Sequence, residues 1–315
     1  MGQRTHMKTT FVGLIVTDYY EGNGHRDNDT PAVIEALFQQ GIIATPIVWH
    51  DKQIDWSLLD AVIIRSPWDY SNRFSEFEAW LQFVSMQTCV FNSPKLIKWN
   101  LNKHYLDELH LSGIPIIPTL YCNNIDEVKT SVHSFSSHWQ VIKPTVSAGS
   151  RNTGLFHRDD EALYILAEHI IAASKEVMIQ PEIAALSTGQ EKSLFYFGGR
   201  FSHAVTKGAL LAHGGGFLNG SYKESPRPII ATTDELILGD ITMASICDIG
   251  NKHQWAEEGY NPPVYARLDV VIDEDYGPLL VEAELFEPSL YVHDNPQAAR
   301  QYAKAIANQL LKMEH

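Results

Sequence analysis

RLDVVIDEDYGPLLVEAELFEPSLY, residues 267–291, reads as a β-hairpin that brings carboxylates together. Leu268, Val270 and Ile272 alternate with Asp269, Val271 and Asp273, the period-two pattern of a half-buried strand. Asp275-Tyr276-Gly277-Pro278 breaks the pattern as a turn, and Leu279-Leu280-Val281 starts the return strand. Alternation predicts Leu280, Glu282 and Glu284 on one face of that strand. A register that sets Asp269 opposite them gathers three carboxylates beside Arg267. Bare carboxylates about 4 Å apart repel by roughly 4 kcal/mol per pair at an effective dielectric near ~20. A strand pair keeps that arrangement only with a cation, and hard oxygen ligands suit Mg2+, which takes one or two carboxylates plus substrate phosphates. An exposed acidic hairpin with solvated charges would use the same residues, and this stretch alone does not choose.

The 315 residues suffice for two or three units with full cores, and 44% hydrophobic content is ordinary for a globular protein. With 24 basic against 38 acidic residues the net charge is −14, which argues against nucleic acid or an anionic membrane as a partner. A local basic pocket for one nucleotide stays compatible with that charge. Cys89, Cys122 and Cys247 are scattered and odd in number, with no zinc spacing, so a reduced, cytoplasmic setting is expected. No apolar run approaches a membrane span, and MGQRTHM at the start lacks a signal core, leaving Met7 open as a natural start.

The segments before the hairpin predict an α/β protein. Phe11 to Val16, Ile42 to Val48 and Ala61 to Ile64 read as strands. Thr30 caps and Pro31 opens a helix with Val33, Ile34, Leu37 and Phe38 inward. That order suggests a parallel sheet, whose ligands bind beyond the carboxyl ends of strands. Arg65 and Ser66 stand at such an end, as candidates for a substrate carboxylate or phosphate, or as an Arg65–Asp69 loop tie. Helices follow at 74–86, from Pro94, and at 101–111, with Lys103 early in the last. Trp139 to Pro144 is a strand ending at Lys143. The small polar run TVSAGSRNT after it is either a hairpin turn or a flap whose N–H groups cover phosphates. Strands are also expected at 177–183, 193–197 and 201–206, a glycine-rich lid at 208–228, and helices at 234–249 and 297–311, the last with Ala298, Tyr302, Ile306 and Leu310 on one face.

The order of these signals resembles the ATP-grasp superfamily over roughly residues 95–295. The strings IRSPWDY, KWNLNKHYLDEL, VIKPTVSAGSRNT, QPEI and LLVEAELFEPSLY are most similar to the glutathione-synthetase-like carboxylate–amine ligases, in the branch that includes the O-ureidoserine cyclase of cycloserine biosynthesis. The resemblance implies an ATP-grasp fold, α/β (α+β), with ATP held between two α+β subdomains. The expected units are an N-terminal pre-ATP-grasp domain at 1–98, a small subdomain at 99–180 and a large, Mg-bearing subdomain at 181–315. It implies phosphate and purine contacts from Lys103 and Lys143, and a flap of Ser147, Gly149 and Ser150 over the phosphates. Gln180, Pro181, Glu182 and Ile183 would read adenine; Pro181 lacks an N–H, so Ile183 is the expected donor. Glu191 would meet the ribose and Lys207 the triphosphate. Asp269, Glu282 and Glu284 would bind Mg2+; many relatives carry Asn at the third place, and Glu there suits two ions better than one, with Mn2+ as a substitute. Arg267 would offset charge on the transferred phosphoryl group. Arg65, Ser66 and Arg151 would hold the substrate carboxylate, and Ser289 stands where relatives contact substrate.

The expected activity is an ATP-dependent ligase or intramolecular cyclase. It would act on a small-molecule carboxylate and an amine through an acylphosphate, giving ADP and phosphate. A kinase on the same fold and a non-catalytic nucleotide-binding protein are the alternatives. A homodimer is compatible with the sequence.

Overall fold

The computed structural model describes residues 9–18, 27–217, 225–255 and 261–313. A polar loop with Gly22-Asn23-Gly24, which the sequence suggests after its first strand, and part of the expected lid lie outside them. Strands β1 (Thr10–Val16), β2 (Ile42–Val48), β3 (Ala61–Ser66) and β4 (Cys89–Phe91) form a parallel sheet in the order β2-β1-β3-β4. Its inner strands are covered on both faces, which is why they read as unbroken apolar runs. Helices α1 (Asp29–Phe38) and α2 (Phe74–Ser85) supply Val33, Leu37, Phe77 and Leu81 to that covering. Thr30 does not cap α1. The Asp27 carboxylate accepts the N–H groups of Asp29 and Thr30, each at 3.0 Å, and the Thr30 hydroxyl donates to it.

Helices α3 (Pro94–Asn100) and α4 (Tyr105–Leu111) lead to the second sheet. Lys103 therefore sits in the turn between two helices, not early in one. Its N–H donates to the Thr145 carbonyl at 3.0 Å, tying that turn to the flap. Strands β5 (Leu120–Cys122), β6 (Trp139–Pro144), β7 (Gly154–His157) and β8 (Val177–Pro181) pair antiparallel in the order β5-β8-β6-β7. Helices α5 (Ile125–Ser131) and α6 (Glu161–Ala172) close one face, with Val128, Leu163, Ala167 and Ile170 packed on Ile142 and Ile179.

After the short helix α7 (Ala184–Ser187), the third sheet holds β9 (Lys192–Phe197), β10 (Arg200–Thr206), β11 (Arg227–Ile229), β12 (Tyr265–Asp273) and β13 (Gly277–Glu284), antiparallel, in the order β11-β10-β9-β12-β13. β11 is short and contains Pro228, so no alternation marks it in the sequence. Helix α8 (Thr233–Lys252) starts with a Thr232–Glu235 capping box and packs Leu238, Met243 and Ile246 on this sheet. Helix α9 (Pro296–Met313) buries Ala298, Tyr302 and Ile306 as expected, but it returns to the first sheet and packs on α1. One core cluster thus joins Val12 and Leu14 of β1, Phe195 and Tyr265 of the third sheet, and Tyr302 of α9. The buried Tyr265 hydroxyl lies 3.0 Å from the carbonyls of Ile64, Phe91 and Phe286 and can donate to one at a time.

Candidate active site

The hairpin of β12 and β13 sets Asp269 directly opposite Glu282 and Arg267 opposite Glu284. The strict alternation expected for β13 fails at one point. A register shift leaves Val281 without a partner between Leu280, opposite Val270, and Glu282. Leu280 therefore faces the core with Leu268 and Val270, while Val281, Glu282 and Glu284 line a cavity. That cavity, about 620 Å³, lies where the three sheets meet and is of the size that encloses a small ligand.

Basic side chains answer its acids. Arg267 donates to both Asp269 oxygens, at 3.0 and 2.8 Å, and also pairs with Glu284. Lys207 lies 2.8 Å from Asp269 and 2.6 Å from Glu191, and Lys103 lies 2.9 Å from Glu282. Ser193 donates to Asp269 at 2.6 Å. Burial works against the Asp269 charge, but Arg267 and Lys207 outweigh it and hold its carboxyl well below the usual range. Glu284 moves the other way, because burial and the nearby Glu287, Asp269 and Glu282 outweigh an Arg267 it shares. Burial pushes Lys143 down to about 8 against the pull of Glu282.

These pairs bear on a metal. Among the described residues no three acidic, His or Cys side chains converge as a cation cage. Asp269 spends both oxygens on Arg267, Lys207 and Ser193. Glu282 and Glu284 each keep an Oε2 with no hydrogen bond among the described residues. Two hard carboxylate oxygens of this kind, beside a basic pocket for phosphates, fit Mg2+ as it is usually held. The expected three-carboxylate cage is not assembled in this arrangement.

The flap, β6 and β8 complete the walls. Ser147, Gly149, Ser150 and Arg151 line the cavity. Gly149 and Ser150 both have left-handed backbone, φ +61° and +51°, and make the flap a tight turn. One Arg151 guanidinium nitrogen, Nη1, is buried without a hydrogen-bond partner. Gln180 to Ile183 line the same cavity; the Glu182 N–H already donates to Trp139 at 2.9 Å, while the Ile183 N–H has no partner among the described residues. The Gln180 side chain donates to Thr119 at 2.9 Å. Ile117, Ile183, Leu186 and Val281 make an apolar wall beside this edge.

Arg65 and Ser66 do not reach the cavity. Arg65 is fully buried, 3.8 Å from Asp29 and 4.0 Å from Asp27, and donates to the Pro288 carbonyl at 3.2 Å. Ser66 donates to Asp27 at 2.7 Å. Arg65 keeps Nε and Nη2 without a hydrogen bond among the described residues, but they are buried away from the cavity beside Asp27 and Asp29, so Arg65 and Ser66 buttress the site from inside. The alternative Arg65–Asp69 tie is not made; Asp69 accepts from Trp49 and Arg73. Ser289 does line the cavity.

Sequence reasoning passed over Tyr70, Asp29 and His293, which line it too, as does Glu287, which the sequence left beside Ser289 as a substrate contact or a turn residue. Tyr70 donates to Glu287 at 3.1 Å. Asp29 accepts the N–H groups of Leu290, Tyr291, Val292 and His293, at 2.7 to 3.2 Å, and fixes the loop after β13. The IRSPWDY and FEPSLY strings hold Tyr70 and Glu287, and that proximity in motif was the available signal.

Three comparisons agree with this geometry. Residues 12–92 match the N-terminal domain of D-cycloserine synthetase DcsG. The cycloserine biosynthesis protein DcsG of Streptomyces lavendulae is 30% identical over 291 residues, 90% of this chain and 94% of that protein. The crystal structure of D-cycloserine synthetase DcsG superposes with TM-score 0.83 at 28% identity, over 95% of this chain and 99% of that one. An ATP-grasp RimK domain protein of Sphaerobacter thermophilus shares the fold alone, with TM-score 0.62 and 16% identity over 94% of this chain and 98% of its own. The fold, the cavity and the full-length match have one reading: the chain belongs to the ATP-grasp ligases, in the family of cycloserine synthetase DcsG.

Proposed function

We propose that the protein is an ATP-dependent carboxylate–amine ligase that works through an acylphosphate, with intramolecular ring closure of a ureido-bearing amino acid as the first case to test. What carries the reading is one cavity that gathers Lys103, Lys143, Lys207 and Arg267 with Asp269, Glu282 and Glu284. The substrate carboxylate attacks the γ-phosphate of ATP, ADP leaves, and an amine attacks the resulting acyl carbon with loss of phosphate. Exchanging a poor leaving group for a good one leaves the protein mainly to position and to neutralise charge.

Lys103, Lys143 and Lys207 bind the phosphates, under the flap of Ser147, Gly149 and Ser150. The Ile183 N–H and the Pro181 carbonyl read the adenine edge against the apolar wall, and Glu191 takes the ribose. Arg267 faces the transferred group, and Arg151 and Ser289 hold the substrate. Mg2+ held by Glu282 and Glu284 would supply neutralising charge to the phosphates, with Asp269 available as its basic partners turn to them. Residues 1–98, 99–180 and 181–315 are the units we assign, in a cytoplasmic setting consistent with three free cysteines.

ADP release is the test, screened over O-ureidoserine, other ureido acids, amino acids and small peptides, with mass spectrometry of each hit. A product one water lighter than a single substrate indicates ring closure, and two partners less one water indicates ligation. A phosphorylated product that persists without free phosphate would replace the ligase reading with a kinase.

A further inference from the structure

The acids that line the cavity are almost all spent. Asp269, Glu282, Glu284 and Glu191 have lysine or arginine partners. Glu182 meets His213 at 2.8 Å and Ser187 at 2.6 Å. Asp27 and Asp29 are saturated by backbone N–H groups, hydroxyls and His293. Glu287 differs. It is only 9% exposed, it lines the cavity, and no Lys, Arg or His among the described residues pairs with it. A buried carboxylate with no cation is costly, and proteins that keep one give it a ligand or a proton.

The surroundings hold this carboxyl in place. The Trp68 indole donates to the Glu287 carbonyl at 3.1 Å, and Arg65 donates to the next carbonyl, Pro288, at 3.2 Å. Tyr70, itself buried between Phe77 and Phe286, donates its hydroxyl to Glu287 Oε1 at 3.1 Å. Oε2 has no partner among the described residues. Trp68 and Tyr70 also line this end of the cavity, and aromatic rings favour a cation over an anion.

We infer that Glu287, held by Tyr70 and bordered by Trp68, is a subsite for the substrate's primary ammonium group. The inference rests on the ligase reading only in supposing that the ligand is the amine-bearing substrate. The ammonium cation supplies the close ion pair that Lys103 and Arg267, whose charges act on Glu287 only from beyond ion-pair distance, do not make. It also sets specificity, because a substrate that lacks the amine leaves the carboxylate buried and unpaired.

The test is calorimetry on the full chain loaded with Mg2+ and a non-hydrolysable ATP analogue. Compounds are compared in pairs that differ only in the amine: serine with 3-hydroxypropionate, and O-ureidoserine with its deamino counterpart. We expect the amine-bearing member of a pair to bind about tenfold or more tightly. Glu287→Gln should erase that gap and leave the affinity for the ATP analogue unchanged, which also shows that the variant folds. Tyr70→Phe, which keeps the carboxylate, should retain part of the gap. Equal binding within pairs, no binding of any amine compound, or a gap that survives in Glu287→Gln overturns the subsite. The ligase reading fails separately: amine compounds would bind through Glu287, yet the wild type would release no ADP from ATP.

Discussion

At the scale of single residues, the Asp29 carboxylate carries more contacts than any charge outside the central pairs. It accepts four backbone N–H groups from residues 290–293 and one from the His293 ring at 3.1 Å. Asp29→Ala leaves those donors buried and unmatched, and should cost about 3 kcal/mol in urea unfolding. Burial raises the Asp29 carboxyl, but His293, Arg65 and the backbone donors outweigh it and the net shift is downward. Hydrogen bonding to Asp29 raises His293. A lowered acid contributes above its unfolded value of 3.8 and a raised histidine below its unfolded value of 6.5, so the pair is strongest between them. The stability gap between wild type and His293→Gln should therefore narrow as pH rises past 6.5 through the folded value. Glu287 titrates in the opposite sense to Asp29. Burial raises its carboxyl from 4.5 to about 7, so the folded state keeps a proton that the unfolded chain has lost. Folding then weakens as pH climbs from 4.5 to about 7, by on the order of 3 kcal/mol. Glu287→Gln should escape that loss, and its unfolding midpoint relative to wild type should rise across this window. Lys143, Asp269 and Glu282 could be read from the sequence because a charge interrupts an apolar strand pattern there. Asp29 and Glu287 could not, since Asp29 meets partners 261 to 264 residues away and Glu287 meets Tyr70 at a separation of 217.

At the scale of elements, the β12–β13 hairpin was legible from alternation and its turn, but the bulge at Val281 was not. Alternation assumes that every residue has a partner, and nothing in LLVEAE says which one lacks it. The extra residue has a consequence for binding. It sets an apolar side chain next to Glu282 on the cavity face, in the wall with Ile117 and Ile183. Val281→Asp would bring an unpaired charge to that wall. The protein should still fold, because Val281 is only partly buried, but the affinity for an ATP analogue should fall about tenfold or more by calorimetry. A loss below twofold would remove the wall from the nucleotide site. The turn holding Lys103 teaches the same lesson from the other side. KWNLNKHYLDEL has helical spacing, and two bonds hold the break at residues 101–104: a local one, the His104 N–H to the Asn102 side chain at 3.1 Å, and a tertiary one, the Lys103 N–H to Thr145, that no local pattern announces.

At the scale of the molecule, the sequence divides the chain into successive units, while the structure ties its ends together. Helix α9 returns to α1, and Tyr302 lies fully buried between the first and third sheets. Tyr302→Ala should therefore cost about 3–5 kcal/mol and lower one cooperative transition, where a detached terminal helix would give a second one. This closure also sets how a ligand acts on stability. The cavity is walled by the second and third sheets and by Asp27–Asp29, Trp68 and Tyr70 of the first unit, so a ligand that fills it touches all three. At a hundred times its Kd, a ligand that binds only the folded state adds about 2.7 kcal/mol. For a chain of 315 residues that is a Tm rise of roughly 4 °C. Mg2+ with a non-hydrolysable ATP analogue should produce it, and should slow proteolysis in the flap at residues 145–153. Glu282→Gln keeps the volume of the side chain but removes the charge that faces Lys103 and that is proposed to hold Mg2+. Most of the Mg-dependent rise should then vanish, leaving a smaller rise with analogue alone. An unchanged rise in Glu282→Gln, with or without Mg2+, would separate nucleotide binding from the acidic hairpin and remove the metal from Glu282.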